Sequence, residues 1–376
     1  MNSIKLLRIR GIPIRMHITF PLILIVAAIQ FGWGHPDQLQ GAAFGVVATL
    51  LLFACVVLHE LSHSLFAMYF GSEVQEILLL PLGGVARMKE MPEQPYQELL
   101  MALAGPATSG LIGVVLIGAM ILVFPGNWLS IWLKSGQAIA MTGRVEWMHL
   151  LPYLVTANLF LAGFNLIPAF PMDGGRVLRA LMATVTSYTR ATSIAVIVGQ
   201  GLAWLIGLAG LLDRNIVLML IALFVYIGAA QEGRMVQVKG ALAGRTVRQA
   251  FSRRAQPVHP DDPLGRAVDL TLEGFQSDFP VCDGEQLIGM LTARDILVGL
   301  KEHGPGVPVQ RVMRRDFPVA QPDDDLFQVN QQMSEAGLDA VPVVEGETFL
   351  GLLTQQDVQE VYRLVSVHPE LLRTET

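Results

Sequence analysis

The 376-residue sequence predicts a polytopic α-helical membrane protein of about six transmembrane helices with a short β-hairpin insertion, followed by an α+β module. Three observations point there. Apolar residues make up 52% of the chain and its mean hydropathy is +0.49, above what soluble domains carry. Apolar stretches close to the 17–25 residues that match a bilayer core recur through the first part of the chain. The acidic charge and an internal repeat then gather in the rest: residues 1–239 hold 14 Lys+Arg and 11 Asp+Glu, residues 240–376 hold 12 and 21. Such an acidic half excludes a nucleic-acid-binding surface, which needs a basic face. The two cysteines, Cys55 and Cys282, fall one in each part and make no disulfide framework. The apolar stretch after Arg15 lacks a small-residue cleavage site and reads as an anchor, not a signal peptide.

Taken in order, the spans are expected at 17–33, 45–70, 96–124, 149–170, 193–212 and 216–231, the last being the shortest. With the N-terminus inside, the inner segments hold Lys5, Arg8, Arg10, Arg15, Arg87, Lys89, Arg176, Arg179 and Arg190. The outer ones hold Lys134, Arg144 and Arg214. This partition predicts a multi-pass protein of the plasma (inner) membrane with its N-terminus and C-terminal module in the cytoplasm. Between the second and third spans, residues 71–95 read as a strand pair. Ile77-Leu78-Leu79-Leu80 is β-favouring, and Gly83-Gly84 marks a turn or bulge. Small residues from Ala104 to Gly110 open the third span and favour close helix contact.

The second span contains His59-Glu60-Leu61-Ser62-His63, and from 45 to 70 Glu60 is its only formally charged residue. On a helix, positions i and i+4 share a face, so His59 and His63 can offer two imidazoles to one metal ion. Glu60 sits where a metalloprotease keeps its general base. A charge at mid-membrane costs about 2.5–3.5 kcal/mol on insertion scales, which argues for function over chance. Leu61 lies nine residues from Phe70, so the pair sits roughly 13 Å from the inner boundary. Cys55, one turn earlier, reads as a small packing residue.

A catalytic zinc site normally has three protein ligands. The best third candidate is Asp173, after Asn165-Leu166-Ile167-Pro168-Ala169-Phe170-Pro171-Met172. Two prolines three residues apart must unwind the fourth span, and irregular backbone at that depth survives only where it lines a cavity or is buried in protein. The break can turn Asp173 toward the histidines, although an Asp-Gly turn paired to Arg176 at the membrane edge is the other reading. Asn158 and Asn165 share one face, and either amide can bond a substrate carbonyl or a neighbouring helix.

These two motifs, His59, Glu60 and His63, then Asn165, Pro168, Asp173 and Gly174, resemble those of the site-2 protease family of intramembrane zinc metalloproteases. The resemblance covers roughly residues 10–230. It implies one Zn²⁺ held by His59, His63 and Asp173, Glu60 as general base, and Asn165 on the substrate or transition state. It also implies that Gly83 and Gly84 lie beside a transmembrane protein substrate, which unwinds and adds as a strand. Ser109 stands where many members carry Asn.

The C-terminal part repeats with a constant offset of 62 residues: Pro260-Asp261-Asp262 recurs as Pro322-Asp323-Asp324, and Gly289 to Asp295 as Gly351 to Asp357. Each unit reads strand, helix, strand, strand, helix, with Thr and Asp capping the last helix. Two units pack as a pseudo-symmetric pair. They resemble tandem cystathionine-β-synthase-type (CBS) domains, and the expected division is 1–232 membrane protease, 233–244 linker, 245–304 first repeat and 305–376 second repeat. The resemblance implies an adenine nucleotide, ATP or AMP, on Thr292, Asp295, Thr354 and Asp357, and a homodimer through the repeats as a further option. Helix capping alone is the other reading of those four residues. CBS pairs also hang from transporters, but a transport site has no need of Glu60 beside its first ligand. The sequence therefore predicts an intramembrane zinc endopeptidase carrying a regulatory CBS pair.

Overall fold

A computed structural model describes residues 3–33, 35–81, 83–88, 94–142, 145–274 and 276–368. Lys89 and Arg144 of the charge partition, and positions 369–376 of the expected second repeat, lie outside them. The chain divides into two compact units, Met1–Arg234 and Met235–Thr376.

The first unit begins with a hairpin, β1 (Ser3–Ile9) and β2 (Ile12–His17), which turns through Arg10 (φ 47°) and Gly11 (φ 91°). Helix α1 (Pro21–Gly32) has proline in its first turn, where no amide bond is lost. Asp37 caps α2 (Gln38–Tyr69) by accepting from the amides of Leu39 and Gln40. Next come β3 (Val74–Leu80) and β4 (Gly83–Met88), and the four strands form one sheet in the order β1-β2-β3-β4. Strand β2 joins β3 in parallel, Ile14 opposite Ile77, and the other pairs are antiparallel. The expected 71–95 hairpin is therefore half of a larger sheet. The cationic segment before residue 17, to which no secondary structure is assigned from the sequence, supplies the other half.

Helices α3 (Pro95–Val123), α4 (Trp128–Thr142), α5 (Leu150–Asn165), α6 (Asp173–Ala183), α7 (Tyr188–Leu212) and α8 (Ile216–Leu242) complete the helical set. α2 packs on α1 and α3, and α3 packs on α5 and α6. Among the described residues, five helices are long and apolar enough to cross a membrane: Gln38–Tyr69, Pro95–Val123, Trp147–Asn165, Tyr188–Leu212 and Ile216–Leu242. The expected span at 17–33 is shorter. Strand β2 runs to His17, and α1 has 12 residues, about 18 Å of helix against a core of about 30 Å. α8 is longer than expected, and most of 233–244 is helical despite Gly233 and Gly240.

One buried charge cluster ties three of these helices together. Arg179 of α6 is 1% exposed; its Nε donates to Glu98 of α3 and its Nη1 to Glu232 of α8, each at 2.7 Å. The guanidinium lies 5.0 Å from the Phe170 ring centroid and 4.9 Å from that of Tyr188. Arg179, counted above among loop cations, is thus an interior residue.

The second unit contains α9 (Leu264–Glu273), β5 (Phe279–Asp283), β6 (Gln286–Leu291), α10 (Ala293–His303), α11 (Leu326–Ala336), β7 (Ala340–Glu345), β8 (Thr348–Thr354) and α12 (Gln355–Val367). The offset of 62 carries Leu264 onto Leu326, Gln286 onto Thr348 and Ala293 onto Gln355. The sheet order β5-β6-β8-β7 reflects that pseudo-symmetry, and there are two apolar cores that exchange segments: Val247 and Phe251 pack with the second repeat, Val307 and Val309 with the first. The strand expected to open each repeat is reduced to a single bridge, Val258 with Val281 and Ala320 with Val343.

Candidate metal centre

Helix α2 is unbroken from Gln38 to Tyr69, so the i, i+4 spacing puts both imidazoles on one face. Their Nε2 atoms are 3.2 Å apart. Asp173 joins them, its Oδ2 lying 3.3 Å from His59 Nε2 and 3.1 Å from His63 Nε2. Among the described residues this is the group of His, Cys, Asp and Glu side chains with metal-ligand spacing. His59 is 3% exposed and His63 5%.

The break after α5 delivers Asp173 to this place. α5 stops at Asn165, and Pro168 and Pro171 have no amide with which to continue it. The chain returns so tightly that a Cβ on Gly174 would overlap the carbonyls of Leu166 and Ile167. One on Gly175 would overlap Ala169 and Phe170. α6 then starts at Asp173 itself.

The other side of each imidazole is held as well. His63 Nδ1 lies 2.7 Å from the Met101 carbonyl oxygen, which can only accept, so Nδ1 carries the proton. In the neutral ring, Nε2 then presents a lone pair to the Asp173 carboxylate. Two acceptors at 3.1 Å repel unless a cation or a second proton lies between them. His59 Nδ1 meets Ser109 Oγ at 2.9 Å. Two imidazoles oriented through Nδ1, with Nε2 atoms and a carboxylate oxygen converging, fit a zinc ion, and such outer partners set ring orientation.

Gly105 of α3 faces the same point. A Cβ there would overlap the Nε2 atoms of both His59 and His63, so the space between the donors exists because this residue is glycine. The sequence reading took Gly105 and Ser109 for helix-packing residues. Gly105-Pro106 in mid-helix was the available signal, since both are poor helix formers.

Glu60 is not among the three donors. Its side chain lies under β4, where a Cβ on Gly84 would come 2.8 Å from Glu60 Cγ. β4 is an edge strand of the sheet, and Gly83, with φ 146°, has open space around its Cα. Asn165 donates to the Leu161 carbonyl within its own helix at 3.0 Å, and no hydrogen bond joins it to the trio among the described residues. Asn158 is fully buried; its Nδ2 donates to the Leu154 carbonyl, and its Oδ1 has no partner there.

In the second unit Thr292 and Thr354 each form a capping box with the Asp three residues on. The two boxes differ in what else they touch. Arg314 donates from Nε to Asp295 Oδ2 at 2.8 Å and from Nη2 to Oδ1 at 2.9 Å. Burial opposes ionisation of Asp295, but the bonds from Arg314 and Thr292 outweigh it and hold the carboxyl below the usual range. Among the described residues Asp357 has no such cation. With Thr354 it lines a cleft of about 740 Å³ that also includes Asp278, whose carboxyl burial pushes up.

Residues 47–208 match peptidase family M50, and residues 247–302 and 309–363 each match the CBS domain. A zinc metalloprotease of Methanocaldococcus jannaschii is 35% identical over 369 residues, covering 98% of this chain and 98% of its own. The solved structure of a site-2 protease from the same organism is 43% identical. It covers 62% of this chain and 95% of that one, with a TM-score of 0.43.

Proposed function

The chain belongs to the M50 (site-2 protease) family of zinc metalloproteases and carries a CBS pair, and from that premise we propose that it hydrolyses peptide bonds within transmembrane segments of membrane-anchored proteins. The observation that carries this reading is the convergence of His59, His63 and Asp173 beside Glu60, on helices long enough to cross a bilayer. His59, His63 and Asp173 would hold the zinc. When bound, zinc supplies Lewis acidity, polarising a carbonyl and making water a better acid. Glu60 takes the proton from the attacking water and returns it to the leaving amide nitrogen. Ser109 and the Met101 carbonyl keep the imidazoles in register.

The substrate enters as an extended strand on the free edge of β4. A membrane helix satisfies its own backbone, so it must unwind before a carbonyl can be attacked, and strand pairing replaces the lost hydrogen bonds. Gly83 and Gly84 leave room for that strand over Glu60. Asn165, at the end of α5, is the substrate-contacting amide.

The CBS pair is the regulatory part. An adenosine-containing ligand bound to it shifts an equilibrium between open and closed arrangements by its differential affinity for the two. The charge partition supports a cytoplasmic N-terminus and CBS pair, with α1 as the shorter sixth crossing. It stays at eight against three once Arg179 is left out.

The test is Glu60→Gln, assayed in detergent on a transmembrane reporter substrate. Zinc content should stay at one per chain, while cleavage falls by roughly 10²–10⁴-fold. Near-normal turnover in that variant would sink the assignment.

A further inference from the structure

We infer that the CBS pair takes one ribonucleoside-type ligand of low negative charge per chain, at the Thr354–Asp357 cleft, and that Arg314 already fills the equivalent place on the first repeat. This rests on the regulatory reading above and adds the stoichiometry, the choice between the two repeats and the preferred charge of the ligand.

The pseudo-symmetry makes the comparison quantitative. Ser252 bridges Leu352, and Arg314 bridges Met290. Both pairs are related by the offset of 62, so Arg314 in one repeat is the counterpart of Ser252 in the other. The guanidinium takes both oxygens of Asp295, Oδ2 through Nε and Oδ1 through Nη2. A ligand hydroxyl seeking that carboxylate must first displace two charge-assisted bonds. At Asp357 the Thr354 amide and hydroxyl, at 2.9 and 2.7 Å, both go to Oδ2, and Oδ1 has no hydrogen-bond partner among the described residues. Ser252 cannot reach across as an arginine does. Asp357 Oδ1 is therefore an acceptor at the cleft wall, suited to a donor such as a ribose diol.

The charge of the cleft selects among ribose ligands. Among the described residues its lining includes Glu273, Asp278, Asp339 and Asp357 against one cation, Arg254. The amides that open α12 are largely spent: Gln355 donates to the Asp339 carbonyl at 2.9 Å, and Asp357 donates to Thr354 Oγ1 at 3.1 Å. A helix N-terminus holds phosphate through free amides, and here few remain. Like charge on the walls works against each added phosphate.

The test is isothermal titration calorimetry of the full chain in detergent with adenosine, AMP and ATP. One adenosine should bind per chain, with affinity falling from adenosine to AMP to ATP, ATP being weaker by about tenfold or more. Asp357→Asn and Asp295→Asn remove the same capping charge, so they form a matched pair, with zinc content and far-ultraviolet circular dichroism as checks on folding. The first should weaken adenosine by on the order of tenfold to a hundredfold, and the second by about twofold or less. Arg314→Ala should admit a second molecule. Two molecules per wild-type chain, ATP binding tighter than adenosine, or loss through Asp295→Asn alone would each overturn the inference while leaving CBS regulation standing. Absence of heat with all three ligands would remove the regulatory reading and this one together.

Discussion

Asp173 and Asp357 both stand in the first turn of a helix, α6 and α12, yet they sit in sites built on opposite principles. Asp173 is buried, its oxygen fixed within 3.3 Å of two imidazoles by a glycine-tight return of the chain. Asp357 borders an open acidic cleft, with one oxygen in a cap and the other free. The difference teaches where rigidity is located. The candidate metal centre takes its donors from two separate stretches of chain, α2 and the start of α6, and tolerates almost no displacement. The cleft is assembled within a repeated fold and accommodates a half-buried carboxylate. The protease chemistry should therefore be brittle to single-atom changes and the repeat pair forgiving.

The largest break should come at the donors themselves. Asp173→Ala is expected to lower zinc affinity by more than the roughly 10–100-fold that outer partners contribute, read as metal content after dialysis in detergent. Full stoichiometric zinc in that variant would remove Asp173 from the ligand set. Gly105→Ala sharpens the point because it adds one methyl group and removes nothing. The new Cβ overlaps both Nε2 atoms, so zinc and cleavage should both be lost. Ala favours a helix by about 1 kcal/mol over Gly, so an unchanged helical signal would separate exclusion of the metal from unfolding.

A smaller effect is expected one shell out. Ser109→Ala leaves His59 without its Nδ1 partner and should cost about 10–100-fold in zinc affinity or turnover. Ser109→Asn, which keeps a polar group there, should recover part of it. A Ser109→Ala enzyme with wild-type zinc affinity and rate would mean that His59 is held by packing alone.

The smallest effect belongs to the repeat pair. The Asp295 carboxyl is held below its ordinary value, near 3.9, and a depressed folded pKa stabilises the fold above the unfolded pKa. That contribution fades as pH falls through the folded value. Arg314 is 44% exposed on its side chain, so Asp295→Asn should cost within about 1 kcal/mol at neutral pH. Thermal unfolding of the full chain from about pH 7 to pH 3 should show the gap to wild type closing on acidification. A gap that widens toward low pH would reverse the sign of the argument.

The two regions were also unequally legible. His59, Glu60 and His63 could be placed on one helical face because a single period fixes them. Asp173 could be suspected because Pro168 and Pro171 forbid a helix. Gly105 could not, since its role appears only when α3 meets α2 and the local pattern reads as close packing; Ser109 was marked only as the place where many family members carry Asn. The N-terminal strands were lost for a similar reason. Ile14 pairs with Ile77, 63 positions away, while Lys5, Arg8, Arg10 and Arg15 entered only through the charge partition. In the repeat pair the offset of 62 exposed the architecture at once. It concealed the asymmetry, because the offset aligns Ser252 with Arg314 but the reach of Arg314 to Asp295 is seen only in the folded repeat.

The buried cluster around Arg179 has a consequence for the order of synthesis. α6 has 11 residues, about 16 Å, too short to cross a bilayer, and it carries Arg176 and Arg179. Glu98, on α3, precedes it from the ribosome; Glu232, near the far end of α8, follows it by 53 residues. Arg179 gains its second carboxylate only once the last membrane helix has been made. Asp173 begins the helix that Arg179 anchors, so the protease can finish building its metal-binding corner only when nearly all of its membrane part exists.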